Sequence, residues 1–142
     1  CGAYQQSLKL GDIIIALSAS TDSSINNIVF GNAHFAPTAT FNLLNSTYHE
    51  ALSRKIDVHV GPIFSSDVFY QDDPKHYQKW ADHGILAVEM ESAALYALAA
   101  KHKVEALTIL TVSDSLVTGE IATTEDREKN FLKMVELALT QV

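Results

Sequence analysis

The chain has 142 residues, 47% hydrophobic and 19% charged, with a formal charge of −7, the balance of one globular domain with a sizeable core. Net acidity and only two arginines, Arg54 and Arg127, argue against a nucleic-acid groove, which needs clustered cations. No apolar run approaches the roughly 20 residues of a membrane span, no signal peptide is visible, and the single cysteine, Cys1, excludes an internal disulfide and fits a reducing compartment such as the cytoplasm.

In chain order, Cys1-Gly2-Ala3 opens without a strand or helix signal and without an initiator methionine. A fragment, or a true start lying upstream, is expected; a processed or engineered terminus is the alternative. Asp12 to Ser18 carries Ile13-Ile14-Ile15-Ala16-Leu17, the continuous apolar run of a strand buried on both faces. Ser18 to Phe35 is polar and reads as a long connection, with a short strand expected at Ile28-Val29-Phe30. After Pro37, Phe41, Leu44, Tyr48 and Leu52 recur near helical spacing and predict a helix over Thr38 to Arg54. Asp57 to Phe64 alternates as a strand.

Pro74 to His83 predicts a helix stopped by Gly84. Ile85 to Val88 reads as a strand, Glu91 to His102 as an Ala-rich helix, and Val104 to Ser113 as the longest strand-like run. Thr123 and Asp126 form a capping-box-like pair opening the last helix, in which Phe131, Met134, Val135, Ala138 and Val142 mark one apolar face. Strands alternating with helices imply an α/β fold with a mostly parallel sheet covered on both sides, in one domain, residues 1–142.

The run Val88-Glu89-Met90-Glu91-Ser92 sits where a strand pattern meets a helical one. Residues two apart on an extended segment point the same way, so both acids can face a pocket at the strand's C-terminal end, where open α/β sheets place ligands. There a carboxylate can accept two hydrogen bonds from vicinal hydroxyls such as a ribose offers. The same acids read equally as first-turn residues opposing the helix dipole.

Thr111-Val112-Ser113-Asp114-Ser115 closes another apolar strand. Asp114 reads either as a proton donor kept available by partial burial or as a turn-forming aspartate. Arg127 reads as a partner reaching back to Asp114 or as a solvated residue on a helix's first turn. Phe69, after Ser65-Ser66-Asp67, can stack on a flat heterocycle or belong to the core. The six histidines show no metal-ligand spacing, Asp72-Asp73 reads as a turn and cap, and there is no Gly-rich phosphate loop or nucleophile elbow.

Glu89-Met90-Glu91, Ser113-Asp114, Phe64-Ser65-Ser66-Asp67-Val68-Phe69-Tyr70 and the downstream Arg127 together resemble the bacterial hexameric type of purine nucleoside phosphorylase, over essentially the whole chain. Cys1-Gly2 is similar to the end of that family's Gly-Ser/Thr-Cys-Gly segment. The resemblance implies a three-layer α/β/α sandwich with a central mixed, mostly parallel sheet, of which this chain is the C-terminal part. It implies that Phe69 lines the base pocket and that Val88 and Met90 pack on purine and ribose. It further implies that Glu91 binds the ribose hydroxyls with Glu89 beside it, that Asp114 protonates purine N7, and that Arg127 assists that transfer while Ser113 orients Asp114.

Phosphorolysis of purine (deoxy)ribonucleosides to free base and (deoxy)ribose 1-phosphate would follow, as in purine salvage. No cofactor or metal is implied; inorganic phosphate is the co-substrate and a cytoplasmic homohexamer the assembly, with no nucleic-acid or membrane partner. The family's phosphate-binding residues are expected upstream of Cys1, so this length of chain alone should show negligible phosphorolysis. Two other readings are a nucleosidase of the same superfamily, which uses water, and a non-catalytic nucleoside-binding or assembly fragment. Uridine phosphorylase lacks the Ser-Asp acid, so Asp114 disfavours a pyrimidine substrate.

Overall fold

A computed structural model describes residues 1–141, with 129 and 130 described by backbone alone. Along the chain run β1 (Gly2–Ala3), β2 (Ile13–Thr21), α1 (Ile25–Phe30), α2 (Phe41–Ser53), β3 (Val58–Ser65), α3 (Gln78–Ala81), β4 (Ala87–Glu89), α4 (Ser92–His102), β5 (Thr108–Thr111), β6 (Asp114–Ser115) and α5 (Thr124–Leu139). The strands form one sheet in the order β5-β2-β3-β4-β1-β6. β2–β3, β3–β4 and β1–β6 are parallel, while β5 on β2 and β1 on β4 are antiparallel. This is the mixed α/β sheet that the sequence predicts.

The triple isoleucine of β2 explains why helices cover both faces. Successive strand side chains point to opposite sides. Ile14 and Ala16 pack in one cluster with Ala93, Tyr96 and Ala99 of α4. Ile13 packs in another with Ala51 of α2 and Leu137 of α5. A third cluster joins Tyr4, Phe64 and Ile85 to Trp80 and Val88, with Phe64 and Trp80 stacked at 4.0 Å between ring centroids. The buried Tyr96 hydroxyl donates to the Ala16 carbonyl (2.7 Å) and accepts from the Thr108 N–H (3.0 Å). It thereby ties α4 to β2, beside the irregularity between Ala16 and Ser18, and to the start of β5.

Several expectations are corrected. Cys1-Gly2-Ala3 is not devoid of structure: Gly2–Ala3 is a strand, held by β4 on one side and β6 on the other. Ile28-Val29-Phe30 is helical, with Ile28 N–H donating to Ser24 O and Gly31 N–H to Asn27 O. These i→i−4 bonds satisfy the backbone of the segment locally, and it pairs with no strand of the sheet. The helix expected over Pro74 to His83 shortens to Gln78–Ala81, although Gly84 does end the segment with a positive φ of 79°.

The strand expected over Val104 to Ser113 shortens to Thr108–Thr111, and the separate strand β6 follows Val112-Ser113. The cap of α5 is as expected: the Asp126 N–H donates to Thr123 Oγ1 at 3.1 Å. Its buried face is not. Leu137 is fully buried and Met134 partly so, while Phe131 and Val135 are exposed; Val142 lies outside the described residues.

The feature that builds the site is a row across the sheet. Phe64 is in register with Val88, Val88 with Gly2, and Gly2 with Asp114. Thus β4 and β6 are not neighbours; β1 lies between them. At a strand spacing of about 4.8 Å, Val88 and Asp114 stand roughly 9.6 Å apart, with a glycine in the gap.

Candidate active site

Gly2 has no side chain and close neighbours. A Cβ placed on it would meet Leu116 Cδ1 at 2.5 Å, Asp114 Oδ2 at 2.9 Å and Val88 Cγ1 at 3.3 Å. The bare backbone therefore forms the floor of a cleft of about 470 Å³, within the size range of small-molecule sites. Val88, Glu89, Met90 and Glu91 line one wall, Ser113, Asp114 and Leu116 another, and Cys1, Tyr4, Ser66, Val68, Phe69 and Gln71 the rest. A single opening thus gathers Phe69, Val88, Glu89, Met90, Glu91, Ser113 and Asp114, all expected site residues. The Glu91 carboxylate comes to it from the junction between β4 and α4, and that of Asp114 from β6.

Arg127 is the exception. It stands in the first turn of α5, exposed, and lines a separate small cavity with Thr111, Val112, Ser113, Ala122 and Phe131. Among the described residues no ion pair joins it to Asp114. Asp114 Oδ1 instead accepts a hydrogen bond from Ser113 Oγ at 2.7 Å. Ser113 is fixed by its own N–H, which donates to Cys1 O at 2.9 Å.

The two acids of the Glu-Met-Glu run divide the two readings between them. The chain leaves β4 after Glu89 and enters α4 at Ser92, so Glu91 occupies the helix N-cap position. Glu89 accepts from the N–H groups of Glu91 (2.9 Å) and Ser92 (2.8 Å), and opposes the positive end of the helix. The Glu91 carboxylate has no protein partner among the described residues and is exposed. It remains available to accept hydrogen bonds from a ligand.

The loop after β3 presents the aromatic wall. Ser66 N–H donates to Glu89 O (2.9 Å), and Ser66 Oγ to Asp22 Oδ2 (2.9 Å). Asp67 N–H donates to Asp22 Oδ1 (2.9 Å). With its base pinned, the loop holds Phe69 74% exposed, which excludes the core-aromatic reading. Tyr4, buried beside the cleft, has its hydroxyl pKa pushed up to about 12, chiefly by burial and secondarily by the Asp22 charge.

Sequence reasoning did not single out Tyr4, Ser66, Gln71 or Leu116 as lining residues. Tyr4 follows Gly2 by the strand period of two, which becomes a signal only once β1 is known. Among the described residues no cluster of three or more His, Cys, Asp or Glu could hold a metal, and no helix is long and apolar enough to cross a membrane.

A glycine-floored cleft with an unpartnered carboxylate on one side and an Asp on the other coincides with a sequence match. The family model described as the phosphorylase superfamily matches residues 1–142. The chain belongs to the phosphorylase superfamily.

Within that superfamily it is similar to curated proteins named purine nucleoside phosphorylase DeoD-type. It is 56% identical to that of Thermoanaerobacter sp. (strain X514) over 139 residues, covering 98% of this chain and 60% of the relative. It is 55% identical to that of Caldanaerobacter subterraneus subsp. tengcongensis, with the same coverage. It is 51% identical to that of Clostridium beijerinckii over 142 residues, covering all of this chain and 60% of the relative. The chain thus spans about 60% of the length of these relatives.

Proposed function

We propose that the protein is a purine nucleoside phosphorylase, catalysing reversible phosphorolysis of purine (deoxy)ribonucleosides to free base and (deoxy)ribose 1-phosphate. The observation that carries this reading is the shared cleft of Glu91 and Asp114, floored by Gly2 and walled by Phe69. Their carboxylates approach from the β4–α4 junction and from β6, with β1 between the two strands, a separation suited to a sugar at one end and a purine at the other.

In this mechanism Glu91 accepts hydrogen bonds from the ribose hydroxyls, with Glu89 beside it. Val88 and Met90 pack against base and sugar, and Phe69 covers the base. Cleavage of the glycosidic bond leaves positive charge on the sugar and negative charge on the purine. Asp114, oriented by Ser113, delivers a proton to N7 and neutralises the leaving group, a form of help typically about 10²–10⁴-fold in rate.

Arg127, which lines the small cavity it shares with Ser113, assists that proton transfer. Inorganic phosphate is the nucleophile, attacking the anomeric carbon, and no other co-reactant enters. Among the described residues the cleft's lining contains three acids and no cationic side chain; in this reading the donors that hold the phosphate dianion come from the part of the relatives' length that this chain does not cover or from a partner subunit. A cytoplasmic homohexamer, as in the family the sequence resembles, is the assembly this reading carries.

The test is product analysis with inosine, with and without phosphate, on the full-length natural protein. Phosphate-dependent release of hypoxanthine with ribose 1-phosphate supports phosphorolysis. Phosphate-independent release of free ribose would assign a nucleosidase instead, and binding without turnover would assign a nucleoside-binding protein.

A further inference from the structure

Glu89 lines the cleft, yet its carboxylate is spent on the protein. Oε1 accepts from Ser65 Oγ. Oε2 accepts from the N–H groups of Glu91 and Ser92 and from Ser92 Oγ at 2.9, 2.8 and 2.7 Å. Ser65 Oγ in turn accepts from the Ala93 N–H at 2.9 Å, and Ser65 and Ser92 are 3% and 2% exposed. An ionised carboxylate offers about four acceptor sites, two on each oxygen; three protein donors crowd Oε2 and one sits on Oε1. Most of the acceptor capacity of Glu89 thus goes to the β4–α4 junction, and what remains is on Oε1, beside the buried Ser65.

Glu91 is the complement: its N–H is held by Glu89 while its own carboxylate is free. Its backbone, at φ −131° and ψ −27°, lies between strand and helix geometry, so the direction of its side chain depends on whatever fixes that junction.

We infer that Glu89, Ser65 and Ser92 are positioning residues that lock the β4–α4 junction and aim the Glu91 carboxylate at the vicinal hydroxyls of the nucleoside sugar. They thereby set the preference for ribosides over sugars lacking those hydroxyls. The inference rests on Glu91 being the ribose ligand. Glu89 acts on the sugar through Glu91 and does not touch it.

The experiment is a double-mutant cycle in the full-length natural protein, read as the ratio of kcat/KM for a purine ribonucleoside to that for its 2′,3′-dideoxy analogue. A loss of general stability lowers both rates and leaves the ratio unmoved. Glu91→Ala should cut the ratio by about tenfold or more, and Glu89→Ala by about tenfold, carried mostly by KM. Glu89→Gln keeps an acceptor for the two N–H groups and should stay within about threefold of the parent. In the Glu91→Ala background, Glu89→Ala should change the ratio no further.

If Glu89→Ala fails to fold, Ser65→Ala takes its place: a ratio lowered about two- to threefold supports the inference, and an unchanged ratio overturns it. An effect of Glu89→Ala that persists without Glu91, or a Gln variant as impaired as the Ala variant, overturns the inference while leaving Glu91 as the ribose ligand. A ratio indifferent to Glu91→Ala would instead remove the reading on which the inference stands, and the inference with it.

Discussion

Gly2 and Asp114 are paired in register on adjacent parallel strands, and a methyl on Gly2 would sit 2.9 Å from Asp114 Oδ2. The proposed acid is therefore held against bare backbone, and the missing side chain is what leaves the cleft open. Gly2→Ala should act at both levels. Leu116 can swing its terminal methyl away, but Asp114 and Val88 must also give. Overpacking of this kind costs about 1–3 kcal/mol, so a lower thermal midpoint is expected. Nucleoside affinity, followed by calorimetry, should fall about tenfold, as expected when a bound group is displaced by about 1.4 kcal/mol. Unchanged affinity would mean that the ligand does not lie over Gly2.

Phe69 separates function from folding. It is 74% exposed, so Phe69→Ala should leave stability within about 0.5 kcal/mol, as for surface substitutions generally. Loss of an aromatic face against a base is worth about 1–3 kcal/mol, so nucleoside affinity should weaken by about 5- to 150-fold. Thermal unfolding and a binding isotherm on the same sample check both halves.

Tyr96 tests the scaffold. Its hydroxyl bonds Ala16 O and Thr108 N–H in the core. Tyr96→Phe leaves a carbonyl and an N–H unpaired, each costing about 1–3 kcal/mol when buried. Urea denaturation should show a loss of that order with an unchanged slope. A loss below about 0.5 kcal/mol would mean that water reaches both groups.

Alkaline pH provides a further check. Burial raises the pKa of both Tyr4 and Tyr96, that of Tyr4 to about 12 from 10.0. Between those values the unfolded chain gives up the Tyr4 proton and the folded chain does not, which favours unfolding. This contribution to stability is fully present below pH 10 and is lost as pH rises from about 10 to about 12. Tyr4→Phe should flatten that part of the stability curve in pH-dependent denaturation; an unaltered curve would show that Tyr4 does not contribute to it.

The legible part of the site lies where long-range signals coincide with local ones. Ile13-Ile14-Ile15 marks a strand covered on both faces, and the acids stand where apolar runs end, so their arrival at one cleft is written in the pattern. β1 was not legible because two residues carry no periodicity; only pairing with β4 and β6 makes Gly2–Ala3 a strand. Ile28-Val29-Phe30 has strand-forming side chains, yet it closes its own helical hydrogen bonds and joins no strand.

The different fates of Glu89 and Glu91 also escaped the sequence, since the turn at Met90 breaks the two-residue alternation that would send them the same way. The position of Arg127 depends on the rotation of α5 about Leu137, a residue outside the expected apolar face.

Asp114→Asn gives the most direct test. A purine nucleoside methylated at N7 already carries positive charge on its leaving group and needs no proton. With inosine, the variant of the full-length natural protein should lose about 10²–10⁴-fold in kcat with little change in KM. With 7-methylguanosine it should keep its rate within about tenfold, because the acid contributes nothing there. Equal losses on both substrates, or full activity with inosine, would contradict the assignment of Asp114 as the group that protonates the departing base.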